Sequence, residues 1–118
     1  MQRDPRLVPL SREHHAALRL GRQLINGGAS MALGAQRAEL AAHFAEEERS
    51  LAPLLETHGE HALAARLRAE HRQLEALFAA AERGEREAEA GRALIDHVRF
   101  EERELFPAVE ACFDGVLT

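Results

Sequence analysis

The sequence of 118 residues contains little of what several classes of site and fold require. Its single cysteine, Cys112, excludes an intrachain disulfide and any zinc or iron–sulfur site built from cysteines. Val, Ile and Thr together occur only eight times, so the chain is poor in strand formers. No apolar run approaches the roughly 18 residues of a membrane helix, and Met1–Arg6 lacks the features of a secretory signal. These absences predict a cytoplasmic protein with no membrane partner.

Nucleic acid is not predicted as a partner either. The net charge is −5, whereas phosphate binding requires a concentrated basic face. What the chain does contain is 23 Ala, 17 Leu and 17 Glu, all of them good helix formers. Its length fits one domain, residues 1–118. We therefore expect a single all-α domain.

Helical periodicity and glycine breakers divide the chain into four segments. The predicted helices cover residues 11–26, 33–57, 60–83 and 87–112, and a glycine follows each within three residues. Because the loops between them are short, consecutive helices are expected to pack as antiparallel neighbours. The sequence thus predicts an up-down-up-down antiparallel four-helix bundle.

The chain repeats itself. Seven residue types of the second helix recur in the fourth at an offset of 54, those of His43, Glu47, Glu48, Arg49, Leu51, Pro53 and Glu56. A weaker match at an offset of 57 relates Glu13-His14 to Glu70-His71. Each half is therefore a helix hairpin with a lone His on its first helix and a His-x-x-x-Glu pair on its second. Pro53 and its counterpart Pro107 are expected to bend their helices near these pairs.

A histidine and a glutamate four residues apart lie on the same face of a helix. In both His-x-x-x-Glu pairs that face also carries leucines, so it is expected to point into the bundle. His71 and His14 each lie in an apolar stripe, whereas His15 faces Arg19 and Arg22. His14 is thus the better inward candidate on the first helix, with His15 as the alternative.

Six side chains are expected to meet inside the bundle: His14, His43, Glu47, His71, His97 and Glu101. Any one of these histidines alone is explained more simply as a core residue that forms a hydrogen bond with a neighbour. Two carboxylates buried without a cation, however, would each cost several kcal/mol or take up a proton. A bound metal removes that cost, so the set together predicts a metal site.

The ligand count indicates two ions. Six ligands from two related halves are too many for one tetrahedral ion. If Glu47 and Glu101 bridge two ions, each ion receives two carboxylate oxygens and two imidazoles. A shared oxo or hydroxo group would fill a fifth site and leave about one position per ion open. Imidazole and carboxylate ligands together suit iron, with manganese or zinc as substitutes.

This spaced set, which extends over nearly the whole chain, resembles the hemerythrin-like, or HHE cation-binding, domain family. The resemblance implies a four-helix bundle with a non-haem di-iron centre and an oxygen-derived bridge that binds dioxygen or nitric oxide. Oxygen-carrying members have a second His four residues after the third-helix His, where this chain has Glu75. They have a carboxylate five residues after the fourth-helix His, where this chain has Glu102 in addition to Glu101. The two His-x-x-x-Glu pairs are more similar to the bacterial and F-box-associated branches.

Three further glutamates lie near the predicted site. Glu75 either occupies an open metal position or pairs on the surface with Arg72 or Arg68. Glu48 and Glu102 lie about 100° from the ligand stripe, which favours contacts around the site or with solvent over coordination.

Two classes of function follow. The first is a non-haem di-iron protein that binds or senses O2, NO or iron, because no other part of the chain supplies a substrate pocket. The second is a di-iron enzyme acting on peroxide or NO, or a factor that delivers iron to damaged iron centres, as similar proteins are thought to do. Ferritin-like iron oxidation is not favoured, because that class uses Glu-x-x-His pairs and no His here has a Glu three residues before it.

Overall fold

The computed structural model describes residues 3–115, in which four helical rods run up, down, up and down. In chain order their elements are α1 (Val8–Asn26), α2 (Ser30–Ser50), α3 (Ala52–Thr57), α4 (His61–Glu82), α5 (Glu87–Phe100), a π-helical turn (Glu101–Leu105) and α6 (Phe106–Gly115). The second rod comprises α2 and α3, and the fourth comprises α5, the π-helical turn and α6. Residues 3–115 contain no β-strand, and the predicted all-α four-helix bundle is confirmed. The predicted domain, residues 1–118, extends past the described range at both ends.

Two helices begin three residues earlier than predicted. α1 begins at Val8 rather than at Ser11, and its first turn contains Pro9, whose missing N–H would have no helical partner there. α2 begins at Ser30 rather than at residue 33. Gly27 reverses the chain directly after α1 with a φ of 86°, a conformation that favours glycine. The connection between the first two rods is therefore only three residues long.

Both prolines disturb their rods as expected, but in two different forms. Proline lacks the N–H that would bond the carbonyl four residues earlier, and its ring crowds that carbonyl. Ahead of Pro53 the second rod is interrupted at Leu51, which separates α2 from α3. Ahead of Pro107 the fourth rod widens into the π-helical turn, which begins at Glu101.

Two apolar clusters fill the interior on either side of a polar layer. The Leu and Phe members of the first are Leu20, Leu24, Leu33, Leu40, Phe44, Leu74, Leu77, Phe78 and Leu94. Those of the second are Leu7, Leu10, Leu51, Leu55, Leu67, Phe100, Leu105 and Phe106. Along the first and third rods the buried histidine lies between these two sets, and along the second and fourth rods the buried His and Glu residues lie where the two sets meet. The fold thus encloses the polar layer between apolar walls.

α1 and α5 approach each other closely at Gly21 and Gly91. A Cβ on Gly91 would lie 2.4 Å from the Gly21 carbonyl oxygen and 2.9 Å from the backbone nitrogen of Ile25. This contact places α1 directly against the fourth rod, where His14 meets the π-helical turn.

Every helix within residues 3–115 is either too short or too polar to traverse a bilayer.

Candidate metal centre

All six residues predicted to face the interior are buried. The two glutamates have no exposed surface, and the four histidines are at most 7% exposed. His15, the alternative to His14, is exposed on the outer side of α1. The structure therefore brings together the full predicted set: His14, His43, Glu47, His71, His97 and Glu101.

These side chains form two groups that share both glutamates. The groups are His14, His43, Glu47 and Glu101, and His71, His97, Glu47 and Glu101. Within each group, one ligand atom of every residue lies within 4.8 Å of the others. Each group therefore takes its imidazoles from one hairpin and shares its carboxylates with the other group. Glu47 and Glu101 are termed the inner glutamates below.

Glu101 is the more central of the inner glutamates. Its Oε1 lies 2.7 Å from His14 Nε2, and its Oε2 lies 2.9 Å from His97 Nε2. The Nε2 atoms of His43 and His71 are each 3.8 Å from one of its oxygens. Because the π-helical turn begins at Glu101, this carboxylate projects from a locally widened helix into contact with all four imidazoles.

Glu47 contacts two imidazoles, with 3.0 Å from Oε1 to His71 Nε2 and 3.0 Å from Oε2 to His43 Nε2. The angles of the His43–Glu47 and His97–Glu101 contacts do not suit a hydrogen bond, so three buried atoms of the layer have no hydrogen-bond partner among residues 3–115: Glu47 Oε2, His97 Nε2 and Glu101 Oε2. Leaving buried polar atoms unpaired is costly, and a cation between them would satisfy all three. Carboxylate oxygen and imidazole nitrogen are ligands of iron, manganese and zinc. The residues therefore fit a metal site.

The inner glutamates differ in their electrostatics. Burial would raise the pKa of Glu101, but the charge of His97 and hydrogen bonds from the other imidazoles hold that pKa well below its usual range. At Glu47, burial and the negative charge of Glu101 raise the pKa, and contacts with two histidines offset the rise only in part. The pKa values of the two inner glutamates are therefore shifted in opposite directions.

All four imidazoles have raised pKa values. Burial lowers the pKa of His43, but the carboxylates of Glu101 and Glu47 outweigh burial and raise it to about 11. The same opposition raises the pKa of His71 and of His97 to about 9. Each imidazole pKa is thus held above its ordinary value, and a metal ion bound here would displace protons from the imidazoles.

Each imidazole contacts a second carboxylate through its Nδ1 atom. The Nδ1 to carboxylate distances are 2.6 Å for His14 with Glu102, 2.7 Å for His43 with Glu13, 2.6 Å for His71 with Glu48 and 2.7 Å for His97 with Glu70. Glu13, Glu48, Glu70 and Glu102 are termed the outer glutamates below. Glu48 and Glu102 contact the site as expected without joining either group, whereas Glu13 and Glu70 were not anticipated. The repeated Glu-His dipeptide at residues 13–14 and 70–71 was the available signal.

Glu75 belongs to neither group. Its carboxylate lies 3.0 Å from the guanidinium of Arg37, which also contacts Glu82 at 2.6 Å. Of the two roles expected for Glu75, the surface ion pair is the one that forms, with Arg37 as the partner instead of Arg72 or Arg68. Helical periodicity predicts the face of α4 on which Glu75 lies. It does not show that α2 brings Arg37 against that face.

A cavity of about 70 Å³ adjoins the polar layer between α1, α2 and α5. Its apolar lining consists of Ala16, Ala17, Leu40, Phe44, Leu94 and Val98. Three of the site histidines and Glu101 also line it. The space is suited to a molecule of a few atoms beside the site.

The family model described as hemerythrin HHE cation binding domain matches residues 6–109, which include all six interior residues and all four outer glutamates. No curated protein and no solved structure matches the chain.

Proposed function

Since the chain belongs to the hemerythrin HHE cation-binding domain family, we propose that it is a non-haem di-iron protein that binds or senses O2, NO or iron itself. One observation carries the proposal: two buried groups of four ligand-type side chains share Glu47 and Glu101. One ion held by each group would use all six side chains, with Glu47 and Glu101 available to both groups, and would satisfy the unpaired buried atoms.

The donor set favours iron as the resident metal. A structural zinc site is complete with four ligands in a tetrahedron. Two imidazoles and two carboxylates in each group would leave room for further ligands on a bound ion, which suits the higher coordination numbers of iron. Manganese and zinc are the substitutes that metal analysis would reveal.

The chain's own residues define how a small ligand would reach the centre. Bound iron would supply a Lewis-acidic, redox-active centre. Leu40, Phe44 and Val98 line the adjoining cavity, and their apolar side chains favour a small uncharged molecule over bulk water. His14 and His43 of the first group and His97 of the second also line the cavity, so a ligand held there would lie beside both groups.

Metal analysis combined with optical spectroscopy tests this function. Iron-loaded protein should contain two ions per chain, and the oxidised spectrum should change on addition of azide, as should the reduced spectrum on addition of NO. One ion or none per chain would contradict the di-iron proposal. Two ions with no response to azide or NO would leave iron itself as the sensed species.

A pair of variants on one helix provides a matched control. His14→Ala should lose metal, because His14 is buried against Glu101, whereas His15→Ala should retain both ions, because His15 is exposed. The opposite result would show that the wrong histidine has been assigned.

Steady-state assays separate this function from its alternatives. Consumption of peroxide or NO with a reductant, at many turnovers per chain, would identify an enzyme. Transfer of iron from the loaded protein to an iron-depleted acceptor would identify a delivery factor.

A further inference from the structure

The outer glutamates connect the rods in a closed ring. Glu13 of α1 contacts His43 of α2, and Glu48 of α2 contacts His71 of α4. In the second half, Glu70 of α4 contacts His97 of α5, and Glu102 of the π-helical turn returns to His14 of α1. Each rod thus supplies one imidazole to the interior and one carboxylate to the imidazole of the next rod.

The ring holds every imidazole from its outer side. A carboxylate can only accept a hydrogen bond, so each Nδ1 that contacts an outer glutamate carries the proton. Nε2 is then the ring nitrogen that faces the inner glutamates, as the contacts of His14 with Glu102 and Glu101 illustrate. A carboxylate behind a ligating imidazole fixes its tautomer and orientation and increases its basicity.

Two members of the ring are themselves held by arginines. Glu70 contacts Arg66 at 2.7 Å, and Glu102 contacts Arg3 at 3.1 Å. In the described part of the chain neither Glu13 nor Glu48 contacts an arginine. The side chains of Glu70 and Glu102 are 22% and 30% exposed, against 38% for Glu48 and 56% for Glu13. The outer glutamates of the second hairpin are therefore more restrained than those of the first.

We propose that Glu13, Glu48, Glu70 and Glu102 are positioning residues of the metal centre, each of which orients the imidazole of the next rod toward the inner glutamates. The proposal rests on the proposed function, because it concerns the same centre. It adds four residues that act across helix interfaces, and it ranks them. Glu70 and Glu102, which arginines hold, contribute more to metal affinity than Glu13 and Glu48.

Metal affinity provides the first test, with Co²⁺ as the probe in competition with a chelator. Alanine at any outer glutamate should weaken Co²⁺ binding about tenfold or more, since the loss of such a partner commonly costs 10- to 100-fold. The effect should be larger at Glu70 and Glu102. Glu46→Ala is the matched control, because Glu46 lies on α2 two residues before Glu48, is similarly exposed and contacts Arg49 instead of a histidine. Ring variants that bind Co²⁺ as tightly as Glu46→Ala would overturn the proposal.

Histidine NMR of the Zn²⁺-loaded protein tests the cross-helix assignment. Glu13→Ala should broaden or shift the Nδ1–H resonance of His43 on the neighbouring rod and leave that of His14, its neighbour in sequence, in place. Glu70→Ala should act in the same way on His97 and spare His71. A general loss of structure would disturb all four resonances alike, and such a result would also contradict a positioning role.

Glutamine variants separate hydrogen bonding from charge and from folding. The side-chain amide oxygen of Gln can still accept the Nδ1–H bond, so Glu48→Gln should recover most of the affinity lost in Glu48→Ala. Equal losses in the two variants would contradict orientation by this hydrogen bond. If wild-type protein binds no metal, the proposed function fails, whereas the ring is still tested by the same Nδ1–H resonances in metal-free protein.

Discussion

The two hairpins have the same spacing of ligand residues, yet they give their inner glutamates different surroundings. Glu47 of the first hairpin contacts two imidazoles, whereas Glu101 of the second lies within 3.8 Å of all four. Burial raises the pKa of Glu47, but at Glu101 the positive charge of His97 and the imidazole contacts outweigh burial. A repeat in sequence thus does not produce a repeat in electrostatics.

The local helix geometry differs at the same place. Glu47 lies within the regular helix α2, and the break ahead of Pro53 comes later, at Leu51. Glu101 lies inside the π-helical turn ahead of Pro107. Turns of this kind insert an extra residue into a helix and often occur at functional sites. In the second hairpin the helix distortion therefore includes Glu101 itself. In the first hairpin the helix distortion comes four residues after Glu47.

The largest expected effect tests the difference between the inner glutamates directly. Glu101→Gln should destabilise the metal-free protein by about 3 kcal/mol, because it removes the central partner of a buried charged network. Glu47→Gln should cost less than about 1 kcal/mol, since burial already favours the neutral form of Glu47. Urea unfolding in the presence of a chelator measures both variants. Equal losses would show that the inner glutamates are equivalent despite their different contacts.

The next effect concerns the surface at which the hairpins meet. Gly91→Ala should destabilise the protein by about 2 kcal/mol, because its Cβ would lie 2.4 Å from the Gly21 carbonyl oxygen. Gly34→Ala in α2 is the control, since its Cβ would meet nothing within 4 Å. There the helix propensity of alanine should stabilise by up to about 1 kcal/mol. Thermal unfolding with the same sign for both variants would rule out a tight crossing at Gly91.

The histidines of the two metal groups should differ in their response to pH. The neighbouring carboxylates outweigh burial and raise the pKa of His43 to about 11, but those of His71 and His97 only to about 9. In metal-free protein His43 of the first group should therefore release its proton at a higher pH than His71 and His97 of the second. A histidine NMR titration in which His43 loses its proton first would refute this order.

The smallest effect is expected at a surface position where the hairpins differ in sequence. Glu75 of the second hairpin corresponds to Leu18 of the first, and it contacts Arg37 on the surface. Because exposed ion pairs stabilise little, Glu75→Ala should change stability by less than about 1 kcal/mol. Metal content and the azide response should be unchanged. Tighter azide binding or shifted charge-transfer bands in this variant would instead identify Glu75 as a ligand.

Much of the site could be predicted because its residues follow helical periodicity. A lone histidine in an apolar stripe, and a His-x-x-x-Glu pair beside leucines, indicate an inward direction without any tertiary information. That is why His14 could be preferred to His15. Helical periodicity could not predict the contact of Glu13 with His43 or that of Glu75 with Arg37, because each contact joins residues on different helices.

The sequence by itself determined the four helices, the order of the hairpins and the six side chains that face inward, because helix propensity and apolar periodicity are local properties. Only the tertiary structure decided how the histidines divide into two groups and which carboxylate supports which imidazole. It also decided that Pro107, unlike Pro53, places its distortion at the ligand. These features depend on the relative rotation and height of packed helices. Close packing of the two apolar clusters and the Gly21–Gly91 crossing set that register, and both arise from residues far apart in the chain.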